Sequence, residues 1–204
     1  MLYVLTGGAR SGKSSAAEGL AAELGGAVVV AAAGSAAGDE EMAARIEAHR
    51  EARPKAWRVR EVRDAGAWTP GARPGETVVL ECLGTLLGRL MDETAARGAL
   101  AGPWDAEALP EEFADEVEAR MNAVTEACAA AAGSRDRHLV VVTNEVGDGV
   151  VPAHASGRLF RDVLGRANRR LVEAADAAWL VVAGRCLDLK SLPAVAAPTA
   201  REET

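Results

Sequence analysis

Gly7-Gly8-Ala9-Arg10-Ser11-Gly12-Lys13-Ser14 decides how the rest of this sequence is read. It fits G-x-x-x-x-G-K-[ST], the loop that cradles nucleotide phosphates. Just upstream, Leu2-Tyr3-Val4-Leu5 is a short apolar run of strand type. Just downstream, Ser15 to Leu24 is an Ala/Leu/Glu-rich stretch of helix type. The chemistry requires that order. Glycines let the backbone wrap a phosphate, so that successive N–H groups point inward at the start of a helix whose dipole favours negative charge. Lys13 then reaches the β- and γ-phosphates, and the Ser14 hydroxyl is available to Mg²⁺. A glycine-rich turn that merely precedes Lys-Ser would not need a strand before it and a helix after it. The segment predicts binding of a nucleoside triphosphate.

Outward from the loop, strand-type and helix-type stretches alternate. Gly25-Gly26 closes the first helix, and Ala27 to Ala31 reads as a buried strand. Asp39 can cap a helix running to Ala52, which Arg53-Pro54 closes. Trp57 to Val62 alternates and reads as a half-exposed or edge strand. Thr77 to Cys82 is the next buried strand, followed by a helical pattern from Leu83 to Arg97. A long helix is expected from Pro110 to Ala132, a strand over His138–Thr143, a loop over Asn144–Gly157, and a helix over Arg158–Ala175. Ala178 to Val182 is the last convincing strand. The expectation is an α/β fold of the phosphate-loop NTPase type, a mostly parallel sheet with helices on both faces. Residues 1–190 read as a single domain, with 191–204 as a disordered tail.

Composition narrows the class. Hydrophobic residues make up 49% of the 204 but aromatics only 3%, so the core must be built from Ala, Val and Leu. A net charge of −7 gives no global reason to bind nucleic acid or an anionic membrane. Cys82, Cys128 and Cys186 are an odd number at wide spacing, which argues for a reducing compartment and against a disulfide frame or zinc site. A first strand at Leu2 leaves no room for a signal peptide, and no apolar run approaches a membrane span. The expected location is the cytoplasm.

Three further places could carry chemistry. Glu81 ends a run of β-type residues, so a buried strand would deliver an acid beside the phosphate loop, able to hold Mg²⁺ or orient a nucleophile. An ordinary strand-end acid facing water is the competing account. His49 falls on the expected Asp39–Ala52 helix in line with Met42 and Ile46, facing the domain, with Arg45, Arg50 and Arg53 nearby. Such an imidazole could attack a phosphorus atom while the arginines hold the triphosphate. It could equally be a packed histidine with no chemical role. Asn144 to Gly149 follows a buried strand at the carboxyl edge where ligands collect. With Gly165, Arg166 and Asn168 it reads as a substrate-side surface or a plain glycine-rich turn.

Together these segments resemble the bifunctional adenosylcobinamide kinase/adenosylcobinamide-phosphate guanylyltransferase family of cobalamin biosynthesis. The matching stretches are Thr6–Ser14, Asp39–Trp57 with its R-I-x-x-H-R-x-x-R-P-x-x-W spacing, and Glu61. Leu80-Glu81-Cys82, Thr143–Gly147, Val151-Pro152, Phe160-Arg161-Asp162, Gly165 and Asn168 complete the set. The resemblance runs from Leu2 to Lys190. It implies phosphorylation of adenosylcobinamide by ATP or GTP, then transfer of GMP from GTP through a guanylyl-histidine to give adenosylcobinamide-GDP. His49 matches the guanylylated histidine, and Lys13 the phosphate-loop lysine. Gly7 to Ser14, Arg50, Glu51, Ala52, Arg53, Glu61 and Glu81 match nucleotide-binding positions, with Ser14 and Glu81 as Mg²⁺ ligands. The family is further associated with a homotrimer. Where it usually has Tyr-Ile-Ala-Thr after the second strand, this chain reads Ala31-Ala32-Ala33-Gly34. A plain phosphate-loop kinase with a degenerate transferase site, and a nucleotide-binding regulatory protein without turnover, are the rival expectations.

Overall fold

The computed structural model describes residues 1–33, 53–99 and 107–194. All described strands form one seven-stranded sheet: β1 (Leu2–Gly7), β2 (Ala27–Ala32), β3 (Arg58–Glu61), β4 (Glu76–Glu81), β5 (His138–Val142), β6 (Ala177–Val182) and β7 (Arg185–Asp188). Their spatial order is β3-β2-β4-β5-β1-β6-β7. Every pairing is parallel except β6 with β7. The central strands LYVLTG, AVVVAA, ETVVLE and HLVVV read as continuous apolar runs because both of their faces are covered. β3 is fully exposed along its four residues and forms one edge, as its alternating sequence predicts.

Helices cover both faces. α1 (Lys13–Leu24) lies on one face, presenting Lys13, Ala17 and Ala21 to the sheet at four-residue spacing. Alanines there bring the helix close to Leu5, Val30, Val79, Val140 and Val142. α2 (Leu83–Thr94), α3 (Glu111–Ala129) and α4 (Ala155–Ala174) share the other face, over Val4, Val29, Val78, Leu80, Leu139 and Val141. Phe113 is the bulkiest fully buried side chain, and leucines and valines make up most of the rest. No helix among the described residues is long and apolar enough to cross a membrane.

The boundaries differ from the sequence expectation in informative ways. α4 begins three residues earlier than its pattern suggested, at Ala155. Gly157, which reads as loop, sits inside its first turn with Pro152 packed against it; a Cβ there would be 2.8 Å from the proline Cβ. β7 has no counterpart in the sequence pattern. It returns antiparallel through Ala183 and Gly184, both at positive φ (49° and 75°). That two-residue hairpin geometry is usually announced by Asn-Gly or Asp-Gly, and an alanine in the first position hides it. The expected 39–52 helix and the tail beyond residue 194 lie outside the described residues.

The topology opens a crevice at the carboxyl end of β1. From β1 the chain leaves through α1 on one face and crosses to β2. From β5, its neighbour, the chain leaves through α4 on the other face and crosses over β1 to β6. Connections departing to opposite faces leave the space between these strand ends open, where ligands settle in sheets of this kind.

Candidate active site

The phosphate loop sits in that crevice, and its backbone is held from three sides. The Glu145 N–H donates to the Gly7 carbonyl (3.0 Å), the Gly184 N–H to the Ser11 carbonyl (2.8 Å), and the Ala16 N–H to the Gly12 carbonyl (3.0 Å). Glycine is required at two positions. A Cβ on Gly7 would lie 2.4 Å from the Val181 carbonyl oxygen and 2.9 Å from Ser11 Oγ. Gly12, with φ at 99°, turns the chain into α1 in a conformation that side-chain-bearing residues rarely adopt. Arg10 also has positive φ (57°), so the loop curls tightly between the two glycines.

Inside this curl, Lys13 is 8% exposed and its ammonium donates to the Gly8 carbonyl (2.9 Å). Ser11 is 9% exposed and its buried Oγ has no hydrogen-bond partner. A buried hydroxyl without a partner beside a buried ammonium, at the start of a twelve-residue helix, suits an oxyanion that supplies the missing acceptors. Gly8, Ala9 and Arg10 face outward, and Ser14 is half-buried.

Register aligns the acidic candidates with the loop. Ala32 pairs with Glu61 on one side and Glu81 on the other, Glu81 pairs with Val142, and Val142 with Leu5. Glu61, Glu81 and Leu5 therefore stand in one row across the sheet, with β1 running two residues further before it becomes loop. Residues in one row of a parallel sheet share a face, here the α1 face. Glu61 is exposed at the sheet edge, and Glu81 is half-buried.

Arg53 joins these parts. Its side chain is 9% exposed, its Nε donates to Glu18 of α1 (3.0 Å), and its Nη2 is ion-paired with Glu81. The guanidinium thus bridges the helix that starts at the phosphate loop and the acid that ends β4. Glu18 carries no motif, and nothing in the sequence singles it out. Its partners lie 35 and, through Arg53, 63 residues away, close only because α1 packs over β4. Of the remaining expected residues, His49, Arg50, Glu51 and Ala52 lie outside the described residues.

The Asn144–Gly149 segment borders the same crevice. Thr143 Oγ1, fully buried, is hydrogen-bonded to Asn168 Oδ1 (2.7 Å), and Asn168 Nδ2 donates to the Asn144 carbonyl (2.9 Å). Glu145 Oε1 accepts from the N–H groups of Val146 (3.1 Å) and Gly147 (2.9 Å). His138 lies at the opposite, amino edge of the sheet; burial lowers its pKa, as does the nearby N-terminal ammonium.

Oxygen donors fit a hard cation here. Ser14 offers a hydroxyl and Glu81 a half-buried carboxylate, and no group of three or more His, Cys, Asp or Glu side chains among the described residues could hold a metal by itself.

A family model described as "Cobinamide kinase / cobinamide phosphate guanyltransferase" matches residues 3–189. The chain belongs to that family. Its sequence is 38% identical over 199 residues to the "Bifunctional adenosylcobalamin biosynthesis protein CobU" of Salmonella typhimurium, and equally to that of Escherichia coli, covering 93% of this chain and 100% of each relative. The "Bifunctional adenosylcobalamin biosynthesis protein CobP" of Pseudomonas aeruginosa is 33% identical over 195 residues, covering 95% of this chain and 99% of that protein. Cobinamide phosphorylation and guanylyl transfer to cobinamide phosphate are the two activities in the family's description, and the matched region spans the phosphate loop, Arg53, Glu61, Glu81 and the Asn144–Gly149 segment.

Proposed function

We propose that this chain is a two-step enzyme of cobalamin biosynthesis that phosphorylates adenosylcobinamide and then guanylylates the product. In the first step the acceptor hydroxyl attacks the γ-phosphorus of ATP or GTP held in the Gly7–Ser14 loop. The bond to the β–γ bridging oxygen breaks, the hydroxyl proton passes to solvent, and a nucleoside diphosphate leaves. Lys13 meets the negative charge that builds on the transferring group, and the inward N–H groups of the loop orient it without moving. In the second step a neutral imidazole nitrogen of His49 attacks the α-phosphorus of GTP and pyrophosphate leaves. A phosphate oxygen of adenosylcobinamide phosphate then attacks that α-phosphorus, the phosphorus–nitrogen bond breaks, and adenosylcobinamide-GDP forms. Imidazole suits this role because it is largely neutral near pH 7 and its phosphoramidate is reactive.

Family membership supports the pair of activities. The observation that carries the site assignment is Arg53, anchored to both Glu18 and Glu81 beside the cradle. Arg50, Glu51, Ala52, Arg53, Glu61 and Glu81 serve the guanine nucleotide in this reading. Ser14 and Glu81 would hold Mg²⁺, which when bound would neutralise phosphate charge. Residues 1–190 act as one domain, the enzyme works as a cytoplasmic homotrimer, and neither nucleic acid nor membrane insertion enters its function.

GTP labelled at the α-phosphate tests the reading. Wild-type protein should retain acid-labile label that adenosylcobinamide phosphate discharges, His49→Ala should retain none, and Lys13→Gln should lose phosphorylation of adenosylcobinamide. Label of equal amount on His49→Ala would remove the histidine from the mechanism and leave a plain kinase.

A further inference from the structure

Asn168 occupies a core position. It lies four residues after Leu164 and three before Leu171 on the buried face of α4, and it is 5% exposed. A polar side chain there is costly unless its amide is engaged. Both ends are. Thr143 Oγ1 lies 2.7 Å from Oδ1, and Nδ2 donates to the Asn144 carbonyl at 2.9 Å. The amide cannot be turned over, because Oδ1 would then face the Asn144 carbonyl oxygen, acceptor against acceptor. The fully buried Thr143 hydroxyl is therefore the donor to Oδ1.

What this pair holds is a peptide that reaches the phosphate loop. β5 ends at Val142, yet its ladder to β1 runs on: the Thr143 N–H donates to the Leu5 carbonyl (2.9 Å) and the Glu145 N–H to the Gly7 carbonyl (3.0 Å). The Asn144 carbonyl and the Glu145 N–H belong to one planar peptide unit and point opposite ways. Asn168 grips one end of that unit and Gly7 the other. Without Asn168 the unit could rotate, and its N–H would swing off Gly7. The next carbonyl along the loop, that of Gly8, receives the Lys13 ammonium (2.9 Å), so the lysine is anchored to the peptide that Gly7 begins. We propose that Asn168, oriented by Thr143, is a positioning residue for the phosphate loop, fixing the Gly7–Gly8 peptide and through it the aim of Lys13 at the triphosphate. Asn168 has no face turned to substrate, unlike the surface role its place in the sequence suggests, and acts only through the loop. This rests on the function proposed above for the triphosphate in the cradle, and not for the acceptor.

The test uses the full-length protein with Asn168→Ala, Asn168→Asp, Thr143→Val and Thr143→Ser. Calorimetric titration with the β,γ-imido analogue of ATP, which cannot give up its γ-phosphoryl group, reads both Kd and the number of competent sites. Asn168→Ala should bind about tenfold more weakly per site, and kcat per site for phosphorylation of adenosylcobinamide should fall at least tenfold. The KM for adenosylcobinamide should stay within about twofold of wild type. Asn168→Asp keeps the shape but sets an acceptor against the Asn144 carbonyl, so it should be no better than Asn168→Ala. Thr143→Val keeps the volume, carries the test if the Asn168 variants fail to fold, and should weaken binding about threefold or more. Thr143→Ser restores the donor and should bind as wild type does. A merely structural role would lower the number of competent sites and leave Kd and kcat per site unchanged; that result overturns the inference. So does a loss confined to the KM for adenosylcobinamide, which would put Asn168 on the acceptor surface, or a Thr143→Ser variant as impaired as Thr143→Val. Wild-type protein that binds the analogue but does not phosphorylate adenosylcobinamide would sink the proposed function, while the variants' Kd values would still decide this inference by themselves.

Discussion

Replacing Arg53 by alanine removes a cation held between Glu18 and Glu81, and the structure sets the size of the effect. Exposed ion pairs contribute up to about 1 kcal/mol, because water screens them and two long side chains must be ordered. Removing one partner of a fully buried pair costs about 3–5 kcal/mol, because a charge is left without compensation. Side-chain exposures of 9% for Arg53, 23% for Glu18 and 17% for Glu81 lie between those limits. Arg53→Ala should therefore lower stability by about 2 kcal/mol, part of it from lost packing of the aliphatic stem. Urea unfolding followed by tryptophan fluorescence measures the change through the midpoint and slope. Adding Glu18→Gln completes a double-mutant cycle, and Glu18 is the better corner of it because its partner in the structure is the Arg53 Nε at 3.0 Å. The coupling energy should be about 1 kcal/mol, with the sign of an attraction. The α-phosphate label from GTP should fall at least tenfold in Arg53→Ala, a loss that Glu18→Gln should show in milder form. Arg53→Ala stability within about 0.5 kcal/mol of wild type, or a coupling near zero, would mean the bridge does not hold in solution.

Gly7→Ala should destabilise the protein by about 1–3 kcal/mol, because its Cβ meets a backbone oxygen that cannot step aside. That oxygen belongs to Val181, which the β1–β6 ladder holds in register opposite Gly7. Gly8→Ala, with nothing within 4 Å of the new atom, should be nearly neutral in the same urea titration. Equal losses for the two would refute the steric account. Asp176 governs acid stability at the amino edge: burial pushes its pKa up, but the Leu2 and Gly133 N–H groups and the N-terminal ammonium outweigh that and hold it below the ordinary value. A carboxyl with a depressed folded pKa contributes stability that is fully present above its unfolded value, near pH 4, and is lost as pH falls through the folded one. Asp176→Asn should therefore be less stable at neutral pH and lose less stability below about pH 4 than wild type, read from urea midpoints across that range. An identical pH profile would refute it.

The parts of this fold that stood out in the sequence are those whose environment is uniform along the chain. β1, β2, β4 and β5 are covered on both faces by helices, so their apolar runs are unbroken and could be read within one or two residues of their ends. The loop from Gly7 to Ser14 was legible because each of its constraints is local: the φ of Gly12, the reach of Lys13 back to the Gly8 carbonyl, and the helix that follows at once. β7 was hidden because none of its four residues is buried, so no hydrophobic pattern marks it, and its turn uses alanine where asparagine would have given a signal.

What the sequence could not supply is what brings the local pieces into one site. Glu61 and Glu81 are twenty residues apart in the chain and acquire a common level only because β2 pairs with both β3 and β4, with Ala32 opposite each acid. A one-residue slip in either pairing would send that carboxylate to the opposite face of the sheet, away from α1. Their alignment with the cradle therefore depends on the register of strands that contribute no functional side chain of their own. The same holds for Glu18. Its position one residue past the buried Ala17 reads as an ordinary surface acid until α1 is laid over β4 and Arg53 arrives between them. The small residues at Ala17 and Ala21 are what allow that close approach. A larger residue at Ala17 would lift α1 from the sheet and widen the gap that Arg53 spans, weakening the bridge while leaving every charged residue in it intact.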